Sequence, residues 1–433
     1  MRRGLVAAGA VAVVVVAAAI FVVAGGAAQP RKPSVFVAPG GSDAASCRKR
    51  TTPCASFDRA YRAARPGEIV EVKGGTYPDQ EIRADPSKRS SRHVVFRPAK
   101  RAKVTLGELT LGSGEGGDGP RHLTIRRMAT AYAAPTEQRP VTALPGTRDV
   151  DLEQLDAGNF TLWGVHDVRV LGGDWGPCHV GPDSACGNAK IDAGPAGYPT
   201  SDVLVEGARF HDYRFGPRCW ETDCHFECMY INGSRNVTIR GSKFRDCALF
   251  DIFATVSGPD AAQVGHERLT IENNWFDTPW DESGPGTSQR ARASAVVLAW
   301  CGNSARGYRG VRIRHNSFQR NTGVTVDEGV ACNSFDVSLT GNLMGWDGCD
   351  RRWRYAYNVY STGLRRGRCG PTDRIAGNAF PYRSAASGAG FDFHLRKDWR
   401  PANKIVAEGC ARKDVDRQRR PARRCDAGAD ERR

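Results

Sequence analysis

Residues 236–244 read NVTIRGSKF. A short β-branched run meets a Gly-Ser corner, and a Phe follows. The same phrase returns as RLTIENNWF from Arg268, GVRIRHNSF from Gly310 and DVSLTGNLM from Asp336. Upstream it is heard in HLTIRR from His122, DVDLEQ from Asp149, DVRVLGG from Asp167 and DVLVEGARF from Asp202, and downstream in TDRIAGNAF from Thr372. A second set of apolar runs lies between these: AKIDAG, MYINGS, LFDIFAT, SAVVLAW, GVTVDEG and YAYNVYS. Strands in pairs, returning every roughly 20–40 residues with Gly and Asn corners, are the pattern of a parallel β-solenoid. One coil is too small to bury its own Val, Ile and Leu, so each coil must stack on the next. Gly and Asn suit the corners because they tolerate left-handed φ. Asn274, Asn316, Asn342 and Asn378 are therefore expected at corners or in an internal Asn ladder, and Phe276, Phe318 and Phe380 in a core stack.

The repeat is uneven, and the surplus is informative. The step from Val205 to Ile239 to Ile271 is similar, whereas Ile271 to Ile313 is longer. Residues 277–294 are an insertion in one coil, and residues 216–228 (GPRCWETDCHFEC) are a second, cysteine-rich excursion. In solenoids such insertions cluster on one side and build the binding face.

The chain has 433 residues, 14 of them Cys, and a formal charge of +15. Two Arg precede an unbroken apolar run from Leu5 to Ala24, with small residues behind it. The run is long for a signal peptide and has the length of a spanning helix. Residues 1–29 are thus a signal peptide or an N-terminal transmembrane anchor, and either places the rest outside the cytoplasm, secreted or tethered through residues 5–24. An even cysteine count suits that oxidising side. The close spacings of Cys47 with Cys54, Cys178 with Cys186, Cys349 with Cys369 and Cys410 with Cys425 suggest staples across single loops, with connectivity left open. The run from Cys219 to Cys228 lacks the paired CxxC form of structural zinc sites. The basic excess is carried by Arg. Its densest stretch, Arg412–Arg424, is interrupted by acids and has no interleaved aromatics, so nucleic acid is not an expected partner, whereas an acidic polysaccharide is. A monomer is expected.

Both ends of the chain resemble a known family. VFVAPGGSDAASC and PCASFDRAYRAARPGEIVEVKGGTY are similar to the N-terminal module of secreted right-handed parallel β-helix proteins, the pectate-lyase-like and chondroitinase-B-like family, in which a strand, an amphipathic cap helix and a PGD-x-V-x-V-x-x-GTY phrase lead into the coils. FDFHLRKDWRPANKIVAEG and DVDRQRRPARRCDAGADE resemble its closing DFHL…SPAIDAG and DIDG…RP…DIGADE phrases. The chain departs at Arg400, where the family has Ser, and at Arg417, where it has Gly. The resemblance implies an all-β right-handed parallel β-helix over residues 34–433: a cap at 34–77, coils at 120–385 and an ordered C-terminal wrap at 390–431, which a Cys410–Cys425 pair would pin. For activity it implies a range: lyases, hydrolases, epimerases and members with no known activity.

A β-helix holds an extended polymer along one sheet, where outward residues of successive coils align at about 4.8 Å. With Ile191, Ile231, Ile252 and Val326 inward, alternation places Lys190, Asp192, Tyr230, Asn232, Asp251 and Asp327 outward. Asp251 stands out as a carboxylate expected in mid-strand, with His225 and Glu227 one coil earlier within possible reach. β-Elimination needs a base, drawn from Lys190, His225 or Tyr230, and a cation against the uronate carboxylate. Asp192, Asp251 and Asp327 are candidate ligands for Ca²⁺, which prefers oxygen. Hydrolysis instead needs two carboxylates roughly 5–9.5 Å apart, such as Asp251 with Glu227 or Asp327. Trp280 and Trp300 suit sugar stacking, and Asn232 suits a substrate hydrogen bond, while Trp275 before Phe276 reads as core. The expectation is a polysaccharide-acting β-helix, lyase first; a glycoside hydrolase or a non-catalytic carbohydrate-binding solenoid are the alternatives.

Overall fold

The phrase from Asn236 folds as one wall and one corner of a coil. Its first residue has φ of 52°, and the equivalent residues His122, Asp149, Asp167, Asp202 and Arg268 lie between 51° and 58°. A stacked left-handed column thus opens these strands. It accounts for the Asp, Asn and Gly that recur before the apolar run, since short polar side chains and Gly tolerate αL. The corner after the strand is a second such column, running through Arg127, Gln154, Gly241, Asn273, His315 and Tyr357.

The computed structural model of the chain describes residues 32–432 apart from 115–118, 181–185, 216–225, 278–293, 300, 302–303, 305, 320–321, 327–334, 348, 362–367, 378–380 and 385–389. Residues Pro33–Arg433 form one compact unit. Among the described residues there are three long sheets and two short helices, α1 (Phe57–Ala63) and α2 (Gly258–Val264). The first sheet runs from Val35–Val37 to Arg354–Ala356, the second from Gly75–Thr76 to Arg374–Ile375, and the third from Gln80–Ile82 to Trp346–Asp347. Neighbours along each path pair in parallel, one coil to the next, so the chain is a right-handed parallel β-helix. The strand Arg354–Ala356 belongs to the first sheet and Val359–Tyr360 to the second, so YAYNVYS crosses a corner and is not a strand of the intervening set.

Inside, the expected stacks form. Phe210, Phe244, Phe276 and Phe318 stack with centroids 4.8–5.1 Å apart, and Phe160 meets Phe210 edge-on at 6.0 Å. Beside them Asn274, Asn316, Asn342 and Asn358 form an amide ladder: each Nδ2 donates to the next Oδ1 at 3.0–3.1 Å. Asp373 ends the ladder by accepting from Asn358 Nδ2 at 3.3 Å. Asn274, Asn316 and Asn342 are therefore interior, and the left-handed corner is the residue before each. Asn378 and Phe380 lie outside the described residues.

Cys47–Cys54, Cys178–Cys186, Cys349–Cys369 and Cys410–Cys425 are disulfides, and Cys228 pairs with Cys247 across one coil. All 11 cysteines within the described residues are in disulfides, as an oxidising compartment would allow. Among the described residues no helix is long and apolar enough to cross a membrane, and residues 5–24 lie outside them.

The outer faces differ. On the first sheet Arg126 pairs with Glu153, Glu206 with Arg240, and Glu272 with Arg314, so part of the outer face is laid out in ion-pair rungs. Over the later coils of the second sheet lies the C-terminal segment. Trp275 is buried there against Phe391, Phe393 and His394, and so is packed, as its place before Phe276 suggested. The segment is hydrogen-bonded to the coils by Asn273 Nδ2 to Lys413 O (2.8 Å) and Ala429 N to Ser317 Oγ (2.9 Å). Arg420 is buried within it, donating to Glu431 and to the carbonyls of Asp426 and Gly428. The third sheet carries the residues of interest.

Candidate functional site on the outer face of the third sheet

In the third sheet Ile191, Ile231 and Ala254 form one inward row, and Ala189, Met229, Ile252 and Val296 another. The row between them faces out: Thr142, Thr161, Lys190, Tyr230, Phe253, Val297 and Thr325 are register partners in turn. A second outward row is Trp163, Asp192, Asn232 and Thr255. Lys190, Asp192, Tyr230 and Asn232 thus occupy the outward positions that alternation assigns them, on two adjacent coils.

These four side chains and Thr255 form one polar patch. Lys190 Nζ lies 2.7 Å from Asp192 Oδ2 and 5.6 Å above the centre of the Tyr230 ring. Asn232 Nδ2 donates to Asp192 Oδ1 (3.0 Å) and to Ser257 O (3.0 Å). Its Oδ1 accepts from Thr255 Oγ1 (3.1 Å) and Ser257 N (2.8 Å). Thr255 Oγ1 also lies 2.9 Å from the Tyr230 hydroxyl. Burial raises the Tyr230 phenol above its usual range, with the Thr255 contact working against it and the Asp192 charge adding to it. Towards later coils the patch ends on a buried apolar cluster, Phe250, Phe253, Val297 and Ala299, against which Tyr230 packs.

Asp251 is not the exposed mid-strand carboxylate that alternation predicts. The strand begins at Ile252, and Asp251 is fully buried at the corner ahead of it, its N–H donating to Ala295 O (2.9 Å). Alternation holds only within a strand, and Asp251 sits one residue outside its reach. Glu227 is likewise fully buried, joined to Asn188 by two bonds of 3.1 Å. The calcium set is corrected too. Asp192 aligns with Thr255, four residues along an extended strand from Asp251, or about 13 Å, which is too far for one ion's shell. His225, Trp280, Trp300 and Asp327 lie outside the described residues.

Three polar groupings escaped the sequence reading. His211 on the second sheet is held between Asp174 (2.9 Å) and Asp212 (2.8 Å). His93 and His122 both meet Asp149 on the first sheet. His394 contacts Asp392 and Asp416 within the C-terminal segment. The available signal was His at strand starts and at outward positions of the repeat, with Asp212 and Asp392 close in sequence to their His, but Asp174 and Asp149 come from other coils and Asp416 from 22 residues further along the chain.

Fold and patch together define a parallel β-helix protein with a polar strip along one sheet. No family model matches the chain, and no curated relative does. Solved structures with a similar course include the complex structure of XylC with xylose (10% identity, 91% of this chain and 98% of that chain, TM-score 0.45). A rhamnogalacturonan lyase (12% identity, 80% and 88%, TM-score 0.39) and pectate lyase Pel9A (12% identity, 93% and 97%, TM-score 0.40) are also similar.

Proposed function

We propose that the protein is an extracytoplasmic polysaccharide lyase that binds a uronate-containing glycan along the outer face of the third sheet and cleaves it by β-elimination. One observation carries the reading: Lys190, Asp192, Tyr230 and Asn232 form a contiguous polar patch at coil spacing, facing out of the sheet and backed by the buried Thr255. The insertions at 216–228 and 277–294 both fall between a second-sheet strand and a third-sheet strand, so they flank this face in the chain.

In β-elimination a base takes the C5 proton, the electron pair forms the C4–C5 double bond, and the C4–O bond breaks as the leaving oxygen gains a proton. The patch divides that work. Lys190, about two-fifths exposed, is the cation that would exchange Asp192 for the uronate carboxylate. Tyr230, a phenol that is protonated at neutral pH and whose hydroxyl meets Thr255 Oγ1 (2.9 Å), is assigned the general acid by its place beside Lys190 on this face. Of the three bases named from the sequence, His225 remains for the proton abstraction. Trp280 and Trp300 remain the residues for stacking on the sugar. Asp251 and Glu227, both fully buried, are given no part in this scheme.

A binding module is the second reading, favoured by Asn232: both ends of its amide are satisfied within the protein, as in a structural ladder. A panel of uronate polymers, followed by the ultraviolet absorbance of the unsaturated product, separates the two. Cleavage is expected with at least one anionic polymer. A Lys190→Ala variant should raise KM, and Tyr230→Phe should lower kcat by about 10²–10⁴-fold, the usual worth of a general acid. Binding without cleavage by any polymer favours the module.

A further inference from the structure

On the first sheet, at the N-terminal end of the helix and away from the polar patch, three potential ligands meet. His93 immediately precedes the strand Val94–Pro98, His122 lies in Arg121–Arg126 and Asp149 in Arg148–Glu153, on three successive coils. The Asp149 carboxylate divides itself between the two rings: Oδ1 is 3.0 Å from His93 Nε2 and Oδ2 is 2.5 Å from His122 Nδ1. The three residues offer ligand atoms all within 4.8 Å of one another.

We propose that His93, His122 and Asp149 form a binding site for a transition-metal dication such as Zn²⁺, which pins three successive coils together. Two imidazoles and one carboxylate are a borderline donor set, suited to Zn²⁺, Ni²⁺ or Cu²⁺ and not to Ca²⁺ or Mg²⁺. The surroundings prepare it. Buried Thr124 places its hydroxyl 2.8 Å from His93 Nδ1, which fixes the ring and leaves Nε2 for the metal. Asp151, 3.8 Å from the same Nδ1, is clamped by Arg169 through two bonds of 2.5 and 2.6 Å and does not compete. The three ligand side chains are 17%, 19% and 29% exposed, enough for an ion to enter and a water to take a fourth position. His122 and Asp149 both have left-handed backbones set by the stacked column, so their placement is held by the coils on either side. On binding, the ion takes the place between the two rings and Asp149, with each ligating ring nitrogen presenting its lone pair.

The test is calorimetric titration of the chelator-stripped full-length chain with Zn²⁺, paired with thermal unfolding. His122→Asn and Asp149→Asn keep side chains that tolerate left-handed φ, and His93→Gln keeps an amide at the ring position, so the variants are compatible with the fold. The expected result is a zinc-binding heat in the wild type and a raised unfolding temperature. Each variant should weaken binding by more than about tenfold, the loss that even an outer-shell partner costs. His394→Gln, which removes the other clustered group (His394, Asp416, Asp430), should leave this binding unchanged. Absence of zinc binding, binding indifferent to the three substitutions, or binding abolished by His394→Gln alone would overturn the assignment. None of these outcomes depends on the glycan reading.

Discussion

His211 and His266 sit in the same solenoid and should respond to pH in opposite senses. Burial opposes the charge on His211, but its bonds to Asp174 and Asp212 outweigh burial and lift its pKa to about 9. A folded pKa above the ordinary 6.5 means stability that is complete below about 6.5 and lost as pH rises through about 9. His266 is fully enclosed, 2.7 Å from Thr255 O and stacked on Tyr308, and burial lowers its pKa to about 4. Its contribution is present above about 6.5 and lost as pH falls through about 4. Denaturant unfolding at stepped pH should therefore show a loss on the order of 2–3 kcal/mol on the alkaline side that His211→Gln abolishes, with the acid-side loss left in place. The amide ladder is the other residue-scale test. Asn316 bonds to Asn274, Asn342 and the Ile271 carbonyl, so Asn316→Ala strands several buried polar groups. A loss of about 2–4 kcal/mol in chemical denaturation is expected; a loss below 1 kcal/mol would mean that the ladder does little.

Turns decide the spacing of the elements. Between the third and first sheets the chain turns through Gly233, at φ of 59°, where a Cβ would come within 2.7 Å of Ala261 Cα in α2. Gly233→Ala should therefore cost about 2–3 kcal/mol by strain and overpacking, read as a lower unfolding midpoint. Removing the Cys228–Cys247 bridge, which closes a separation of 19 residues between adjacent coils, should cost about 3 kcal/mol in an alanine double variant. These elements also show what the sequence made legible. NVTIRGSKF and its copies carried the strand, the corner and the Phe stack, because a parallel stack repeats the same inward positions. Lys190, Tyr230, Asp192 and Asn232 followed from alternation within strands. Asp251 did not, because alternation says nothing about a corner one residue ahead of the strand. Asn358 was hidden because its coil, RYAYNVY, lacks the repeated phrase. His93, His122 and Asp149 come together only through register between coils, which a single sequence does not display.

The molecule as a whole assigns a different task to each outer face. The first sheet spends its charge on rungs such as Arg240–Glu206 and Arg314–Glu272. The second is covered over its later coils by the C-terminal segment packed on Trp275 and Val359. The third presents Lys190, Asp192, Tyr230 and Asn232 on two adjacent coils, the face to which we assign binding of an extended anionic polymer. The chain's net charge of +15 favours approach of such a polymer, and binding that rests on Lys190 should weaken as salt is raised. The most direct test of the glycan-cleaving assignment is the mass of the fragments released from a uronate polymer by the full-length chain. Lyase action is expected to give fragments whose non-reducing ends are lighter by one water than hydrolytic fragments, in amounts that fall sharply in Tyr230→Phe. Polymer that stays intact, or fragments that all carry the full mass of water, would contradict it.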